Sequence, residues 1–501
     1  MSEKIMKKSR VLIAALLGTV MIAALTIWGC GTSSYDDPAA GANITTTKTA
    51  NALIDVATLK GWMDEGKVNA PFTSYDRVVI LTVSPAADAT TTTTTNTIDN
   101  NGTTADATDD KYITTVKAVT TYGYSSHIPG AQLWNSGSEL GFTRREGVAD
   151  MTTMVPDGAS MDTLIQRFGI NKYTTVVLTV SKGQNNLNAA RAYFTLRYWG
   201  FPKERLKVLD GGDDAWVDSG KALTTTVPTI AKSTYSVRNN YTGNYTSFGL
   251  RFSIGEMINL VDKVNAATES TTDVNGISIL DARGGADYNT AHITGSIYDD
   301  HAAYTVAATG TSTSPGTVTT ITTTPFATGV AAVAAPVTVP NPKTRIYKAD
   351  LAGYLTGINV PATKKMNYVY CVSGYRASVP FFVLDGVLNR SVKLYDGSWG
   401  QWSGYRLANL PDVSGAASMW RVDNNSRSSF AVTPATVPIT FTTTTGALTG
   451  ALPISDNLYL GFTSVLDPEA NQILKADKIY FSTPPVSTTT SGGASGGGSG
   501  C

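Results

Sequence analysis

The chain has 501 residues, 42% of them hydrophobic and 16% charged, with 39 Lys plus Arg balanced by 39 Asp plus Glu. That length exceeds one ordinary hydrophobic core, so two domains with additions are expected. A formal net charge of zero offers no basic surface to neutralise phosphates, which excludes nucleic acid as an expected partner.

The first ten residues carry Lys4, Lys7, Lys8 and Arg10, and an apolar run from Val11 to Trp28 is broken only by Gly18, Thr19 and Thr26. A basic stretch followed by such a run reads as an export signal over residues 1–29. The run closes Leu25-Thr26-Ile27-Trp28-Gly29-Cys30, which resembles a bacterial lipobox. Cys30 is therefore expected to be the lipidation site of an exported, membrane-anchored lipoprotein. Gly31 stands where an aspartate often retains such proteins at the inner membrane, so an outer membrane is the expected destination. An uncleaved anchor is the alternative, because roughly 18 apolar residues can just span a bilayer. If Cys30 is lipidated, only Cys371 and Cys501 remain and no disulfide framework is possible.

Residues 30–50 read as a polar tether. Residues 51–225 and 252–410 read as two domains of one plan. In the first, strands are expected at 77–83 and 175–180, and a helix from Ala189 to Trp199 ends at Gly200 and Pro202. In the second, strands are expected at 277–280 and 368–370. Short apolar runs alternating with helical stretches predict an α/β fold, a parallel sheet flanked by helices in each domain. The blocks close alike, on Val208-Leu209-Asp210-Gly211-Gly212-Asp213-Asp214-Ala215-Trp216 and on Lys393-Leu394-Tyr395-Asp396-Gly397-Ser398-Trp399, which implies an internal duplication. Threonine-rich tracts near residues 90–115 and 305–340 lack apolar surface to offset ordering and are expected to be surface insertions. Residues 411–487 carry β-type patches, including Leu458 to Phe462 and Ile479 to Phe481, and predict a β-rich extension. Residues 488–501 form a Gly/Ser tail ending in Cys501.

The chemistry lies in Tyr370-Cys371-Val372-Ser373-Gly374-Tyr375-Arg376-Ala377-Ser378. A cysteine where a strand ends and a helix begins faces converging N–H groups and the positive helix end, which favour its thiolate. Gly374 permits loop conformations closed to other residues, and Arg376 adds a fixed positive charge. Cys371 is thus the candidate nucleophile, and Val372, Ser373, Gly374, Tyr375 and Arg376 are the candidate substrate-binding loop.

This loop resembles the Cys-x-x-Gly-x-Arg active loop of the rhodanese superfamily. Leu280-Asp281-Ala282-Arg283, Asp287-Tyr288 and Ala291-His292-Ile293-Thr294-Gly295-Ser296 resemble its further signatures, as do Ser126-His127-Ile128-Pro129-Gly130-Ala131 and Ala189-Ala190-Arg191-Ala192 in the first copy. Tyr395-Asp396-Gly397-Ser398-Trp399 is similar to the tandem-domain sulfurtransferases. The resemblance implies two rhodanese-like domains, a persulfide on Cys371 and a substrate-binding role for Arg283. It implies His127 and His292 as structural turns. The first copy reads Val180-Ser181-Lys182-Gly183-Gln184-Asn185 where the loop belongs and is expected to be inactive. Asp287 stands where thiosulfate enzymes of the family often carry an arginine.

Expected partners are a small sulfur- or selenium-containing anion, a thiol or protein acceptor, the membrane through the N-terminal lipid, and an outer-membrane redox complex. The last follows from a likeness to rhodanese-like lipoproteins found beside selenite or tellurite reduction and extracellular electron transfer. It leaves a second reading open, a chalcogen-binding or structural subunit without turnover. Phosphatase or arsenate-reductase chemistry is weaker, because such relatives use a longer loop. Three scattered histidines offer no metal spacing, His301 reads as a surface residue, and no cofactor is expected.

Overall fold

A computed structural model describes residues 51–483, apart from residue 75 and segments 103–107, 147–148, 241–248, 313–315, 408–426, 431–440, 444–445 and 449–470. The expected signal, the tether with Cys30, the Leu458–Phe462 patch and the tail with Cys501 lie outside the described residues.

The first sheet comprises β1 (Leu53–Ile54), β2 (Val78–Ser84), β3 (Gln132–Asn135), β4 (Thr175–Thr179) and β5 (Leu206–Leu209), all parallel in the order β1-β5-β4-β2-β3. The second comprises β6 (Arg251–Phe252), β7 (Ile277–Asp281), β8 (Ser296–Tyr298), β9 (Met366–Tyr370) and β10 (Val392–Tyr395), in the order β6-β10-β9-β7-β8. The two orders are the same path, so the chain is an α/β protein that uses one plan twice. Strand β2 is buried along its whole length, as a parallel strand covered on both faces must be. Val79, Leu81 and Val83 enter one core cluster while Val78 and Ile80 enter another, the period-two alternation of a strand.

The helices that follow β4 and β9 pack on one another. Leu187–Tyr198 ends at Gly200, whose φ of 88° suits a residue without Cβ. It packs on Ser378–Phe382, with Phe194 edge-on to Phe381 at 4.9 Å and Tyr193 edge-on to Phe382 at 5.0 Å. Beyond Phe382 the second helix continues as a π-helical turn, Val383–Val387, whose Asp385 accepts from Arg197 Nε at 2.7 Å and from the Tyr193 hydroxyl at 2.8 Å. One hydrophobic cluster therefore runs through both domains and contains Cys371 itself.

One expectation is met in part and one is corrected. The threonine tracts are surface insertions, Ala89–Asp99 being exposed throughout, but they are ordered as an antiparallel sheet: Ala89–Asp99 pairs with Lys111–Thr121, which pairs with Thr317–Pro325 of the other domain's insertion. Threonine is β-branched and suits a pleated surface. The backbone ladder and contacts such as Thr90 Oγ1 to Thr120 Oγ1 at 3.0 Å supply what apolar burial does not. The Ile479–Phe481 patch is helical, within Gln472–Ser482, because Ile473, Asp477 and Phe481 recur every fourth residue on one buried face. This helix docks on the first domain through Asp477, which accepts from Arg144 at 2.6 Å and from the Tyr198 hydroxyl at 2.7 Å. Of the expected β-rich extension, the short strands Ser428–Phe430, Phe441–Thr443 and Gly446–Leu448 are described.

Candidate active site

Cys371 follows the last residue of β9, and a hydrogen-bond ladder pins it to the start of the helix Ser398–Leu407. The Cys371 N–H donates to Ser398 Oγ at 3.2 Å, Trp399 N–H donates to the Cys371 carbonyl at 2.9 Å, and Gly400 N–H donates to the Val372 carbonyl at 2.8 Å. Gly374 turns the loop at a φ of 80°, and a Cβ there would lie 3.0 Å from both the Asp396 carboxylate and the Arg191 guanidinium. Only glycine fits. Ser378 Oγ closes the loop by donating to the Gly374 carbonyl at 2.8 Å. Cys371 is 1% exposed while its neighbour Val372 is 36% exposed.

Beneath the loop lies a buried charge network that joins the domains. Asp396 accepts from Arg191 Nη1 at 2.7 Å, from Arg251 Nε at 3.2 Å and from the Val155 N–H at 3.0 Å. Arg251 in turn holds Glu146 through both its Nη atoms, at 2.9 and 3.0 Å. Two carboxylates and two guanidiniums thus neutralise one another out of water. Burial alone would raise the Asp396 carboxyl, but Arg191 and Arg251 outweigh it and hold it below the usual carboxylate range. Arg191 also faces the Tyr375 ring, its Cζ 5.3 Å from the centroid, so the first domain touches the loop of the second.

The two arginines singled out in the second domain part company. The Arg376 guanidinium has no hydrogen bond or ion pair among the described residues and is half-buried beside the loop. Arg283, expected as a substrate ligand, is 2% exposed, and it donates to Asp281 from Nε at 2.9 Å and to the Ala291 carbonyl from Nη2 at 2.5 Å. Its Cζ lies 4.3 Å from the Trp399 ring centroid, so it braces the residue whose N–H holds Cys371. Asp281 also accepts from the buried Tyr370 hydroxyl at 2.7 Å.

His127 and His292 are matched turn residues. Each ring stacks on a tyrosine, Tyr124 at 4.0 Å and Tyr288 at 3.9 Å, and each meets that tyrosine's carbonyl through Nδ1. His301 is not the surface residue its sequence setting suggests. It is half-buried with Asp300 at 3.2 Å, and burial, reinforced by the Arg376 charge and opposed by Asp300, lowers its pKa. It lines a cavity of about 60 Å³ with Asn185, Asn186, Arg345 and Val379. The available signal was its position just past β8, the neighbour of β7 and hence close to the strand ends that carry Asp281 and Cys371.

The first domain repeats this geometry without the cysteine. Asp213 N–H donates to the Val180 carbonyl at 3.0 Å, the counterpart of Trp399 to Cys371, so Val180 occupies the place of Cys371. Segments of the second domain's insertion cover this loop. Asp214 accepts from the Gly183 N–H at 2.7 Å, the Thr344 N–H at 2.8 Å and the Ser312 hydroxyl at 2.9 Å. Under the cover Asp213 is fully buried, bonded to Thr179 Oγ1 at 2.9 Å and with Oδ2 unpaired, and burial pushes its carboxyl up to about 8.

No family model matches the chain. It is 28% identical over 255 residues to the sulfur carrier protein TtuD of Thermus thermophilus, covering 50% of this chain and 75% of that one. It is 31% identical over 118 residues to a Haloferax volcanii protein named "Putative thiosulfate sulfurtransferase", covering 23% of this chain and 37% of that one. Among solved structures, YnjE aligns with a TM-score of 0.37 at 18% identity over 56% of this chain and 57% of that one. An anaerobic ergothioneine biosynthesis enzyme from Chlorobium limicola aligns with a TM-score of 0.40 at 16% identity over 74% and 71%. At such values the structural likenesses bear on neither activity nor substrate. The two curated relatives, distant as they are, suggest a rhodanese-like protein that handles sulfur.

Proposed function

We propose that the chain is an exported, lipid-anchored sulfurtransferase that carries sulfane sulfur as a persulfide on Cys371. The observation that carries this reading is a thiol at a strand end, in a residue whose N–H and carbonyl are both held by the start of the Ser398–Leu407 helix, in the same loop as a guanidinium without a partner among the described residues. With thiosulfate as donor, the Cys371 thiolate attacks the outer sulfur, the sulfur–sulfur bond of the donor breaks, and sulfite leaves with the electron pair. The product is Cys371 persulfide. An acceptor nucleophile then attacks the terminal sulfur and returns the thiolate, a two-step covalent route. Arg376 and the loop N–H groups balance the negative charge that persists throughout. Thiosulfate and 3-mercaptopyruvate are the donor types to compare, and a thiol or a partner protein is the acceptor.

The near-complete burial of Cys371 favours a second reading, a chalcogen-binding or structural subunit of an outer-membrane redox complex without turnover of its own. Steady-state transfer assays with each donor, in wild type and Cys371→Ser, separate the two. Turnover that disappears with the thiol supports the transferase; no turnover with any donor supports the subunit. Lipidation at Cys30 is tested by membrane fractionation of Cys30→Ala, which should release the protein.

A further inference from the structure

Ser398 has a φ of 52°, in the left-handed region where Cβ crowds the following carbonyl and a residue other than glycine is disfavoured. The same turn exists in the first domain, and there the position is Gly212, with a φ of 56°. The equivalence is set by the hydrogen bonds of the next residue, Trp399 to the Cys371 carbonyl and Asp213 to the Val180 carbonyl. Both copies demand the same backbone conformation. The copy with valine in the nucleophile's place uses the residue that relieves the strain, and the copy with cysteine does not.

What the second copy keeps is a hydroxyl. Ser398 is fully buried, its Oγ donates to the Tyr395 carbonyl at 2.8 Å and accepts from the Cys371 N–H at 3.2 Å. The bond to Tyr395 uses the one hydroxyl proton and so turns a lone pair towards Cys371. We propose that Ser398 is a positioning residue for the Cys371 nucleophile, a strained side chain kept because its hydroxyl fixes the first peptide of the loop. This rests on the reading of Cys371 as the reacting thiol.

The consequence follows from the ladder. With Ser398 on its N–H and Trp399 on its carbonyl, the Cys371 residue is held on both sides, and rotation about its Cα–Cβ bond is the freedom left to the sulfur. Gly374, hemmed in by Asp396 and Arg191, holds the loop from the far side. Without the hydroxyl, the Cys371 N–H loses its partner and the peptide can tilt, which moves the sulfur. Strain stored beside a reacting group, in a structure that over-determines it, is the pattern of a functional site.

The test uses the full chain in wild type, Ser398→Gly and Ser398→Ala. It reads the thermal midpoint and the pH profile of iodoacetamide alkylation at Cys371, followed on the Cys371 peptide by mass spectrometry. Ser398→Gly copies the residue of the first domain, so it should fold with an unchanged or higher midpoint while its Cys371 reacts roughly five- to tenfold more slowly near neutral pH, the equivalent of one lost neutral hydrogen bond. Ser398→Ala keeps the strain without the bond and should lose both stability and reactivity. A Cys371 that reacts no faster in wild type than in Ser398→Gly, or in neither protein, overturns the proposal. Alkylation needs no sulfur donor, so a wild type that alkylates as expected yet accepts no sulfur would sink the transferase reading and leave this one standing.

Discussion

Arg191, on a helix of the first domain, donates to Asp396 of the second at 2.7 Å, and both side chains are fully buried. The pair sits directly under Gly374, so the interface that joins the domains is also the floor of the Cys371 loop. Removing one partner leaves the other charged and buried, and Arg191→Met should cost about 3–5 kcal/mol by chemical denaturation. The pH dependence has a definite sign. Because the folded Asp396 pKa lies below its unfolded value, its contribution is fully present above the ordinary carboxylate range and is lost as pH falls through the lowered pKa. Asp396→Asn should flatten the acid limb of a stability profile.

Arg376→Ala should slow transfer by roughly 30- to 150-fold, the loss of one charge-assisted contact of ~2 to 3 kcal/mol, without a change in thermal midpoint. Arg283→Ala should show the opposite pattern. It strips Asp281 and the Ala291 carbonyl of their donor, so stability falls first. Single-turnover transfer and thermal melts on the two variants distinguish ligand from strut.

Asp213 carries the reverse pH signature. Its folded pKa is raised to about 8 by burial. Above pH ~4 the unfolded carboxyl ionises while the folded one stays neutral, so stability is drawn down as pH rises until the folded group itself ionises. Asp213→Asn removes this penalty and keeps an oxygen for Thr179. It should raise stability by roughly 2–5 kcal/mol at pH 8 and by much less at pH 5.

Asp214→Ala removes the acceptor shared by Gly183, Thr344 and Ser312. Hydrogen exchange should then quicken around residues 181–186 and 340–346 while transfer at Cys371 is unaffected, since Val180 stands beneath that cover where the second domain has Cys371. A concurrent loss of transfer would mean that the cover couples the two sites.

What the sequence disclosed was local. The stretch Cys371 to Arg376 marks a candidate loop through residue type and spacing, and the matched endings at Asp210 and Asp396 announce a repeat. Long-range partners were not legible. Nothing in Ala189-Ala190-Arg191-Ala192 says that Arg191 reaches Asp396, and the Asp-x-Arg signature does not say that Arg283 spends its donors on Asp281 and Ala291. The threonine tracts misled because composition weighs apolar burial, whereas their order comes from pairing with a tract some two hundred residues away. Ile479-Tyr480-Phe481 misled because a short apolar run carries no period of its own, and only with Ile473 and Asp477 does the helical face emerge. Ser398 stands in a legible motif, and its positive φ is visible only in the fold.

The central claim is that Cys371 carries sulfur. Intact and peptide mass spectrometry of the chain, after incubation with thiosulfate or 3-mercaptopyruvate and without added acceptor, tests it directly. The account predicts a donor-dependent gain of one sulfur atom on the Cys371 peptide that disappears on adding cyanide or a thiol and is absent from Cys371→Ser. An unmodified Cys371 with every sulfur donor, under conditions where the chain is folded and its thiol reduced, would contradict it.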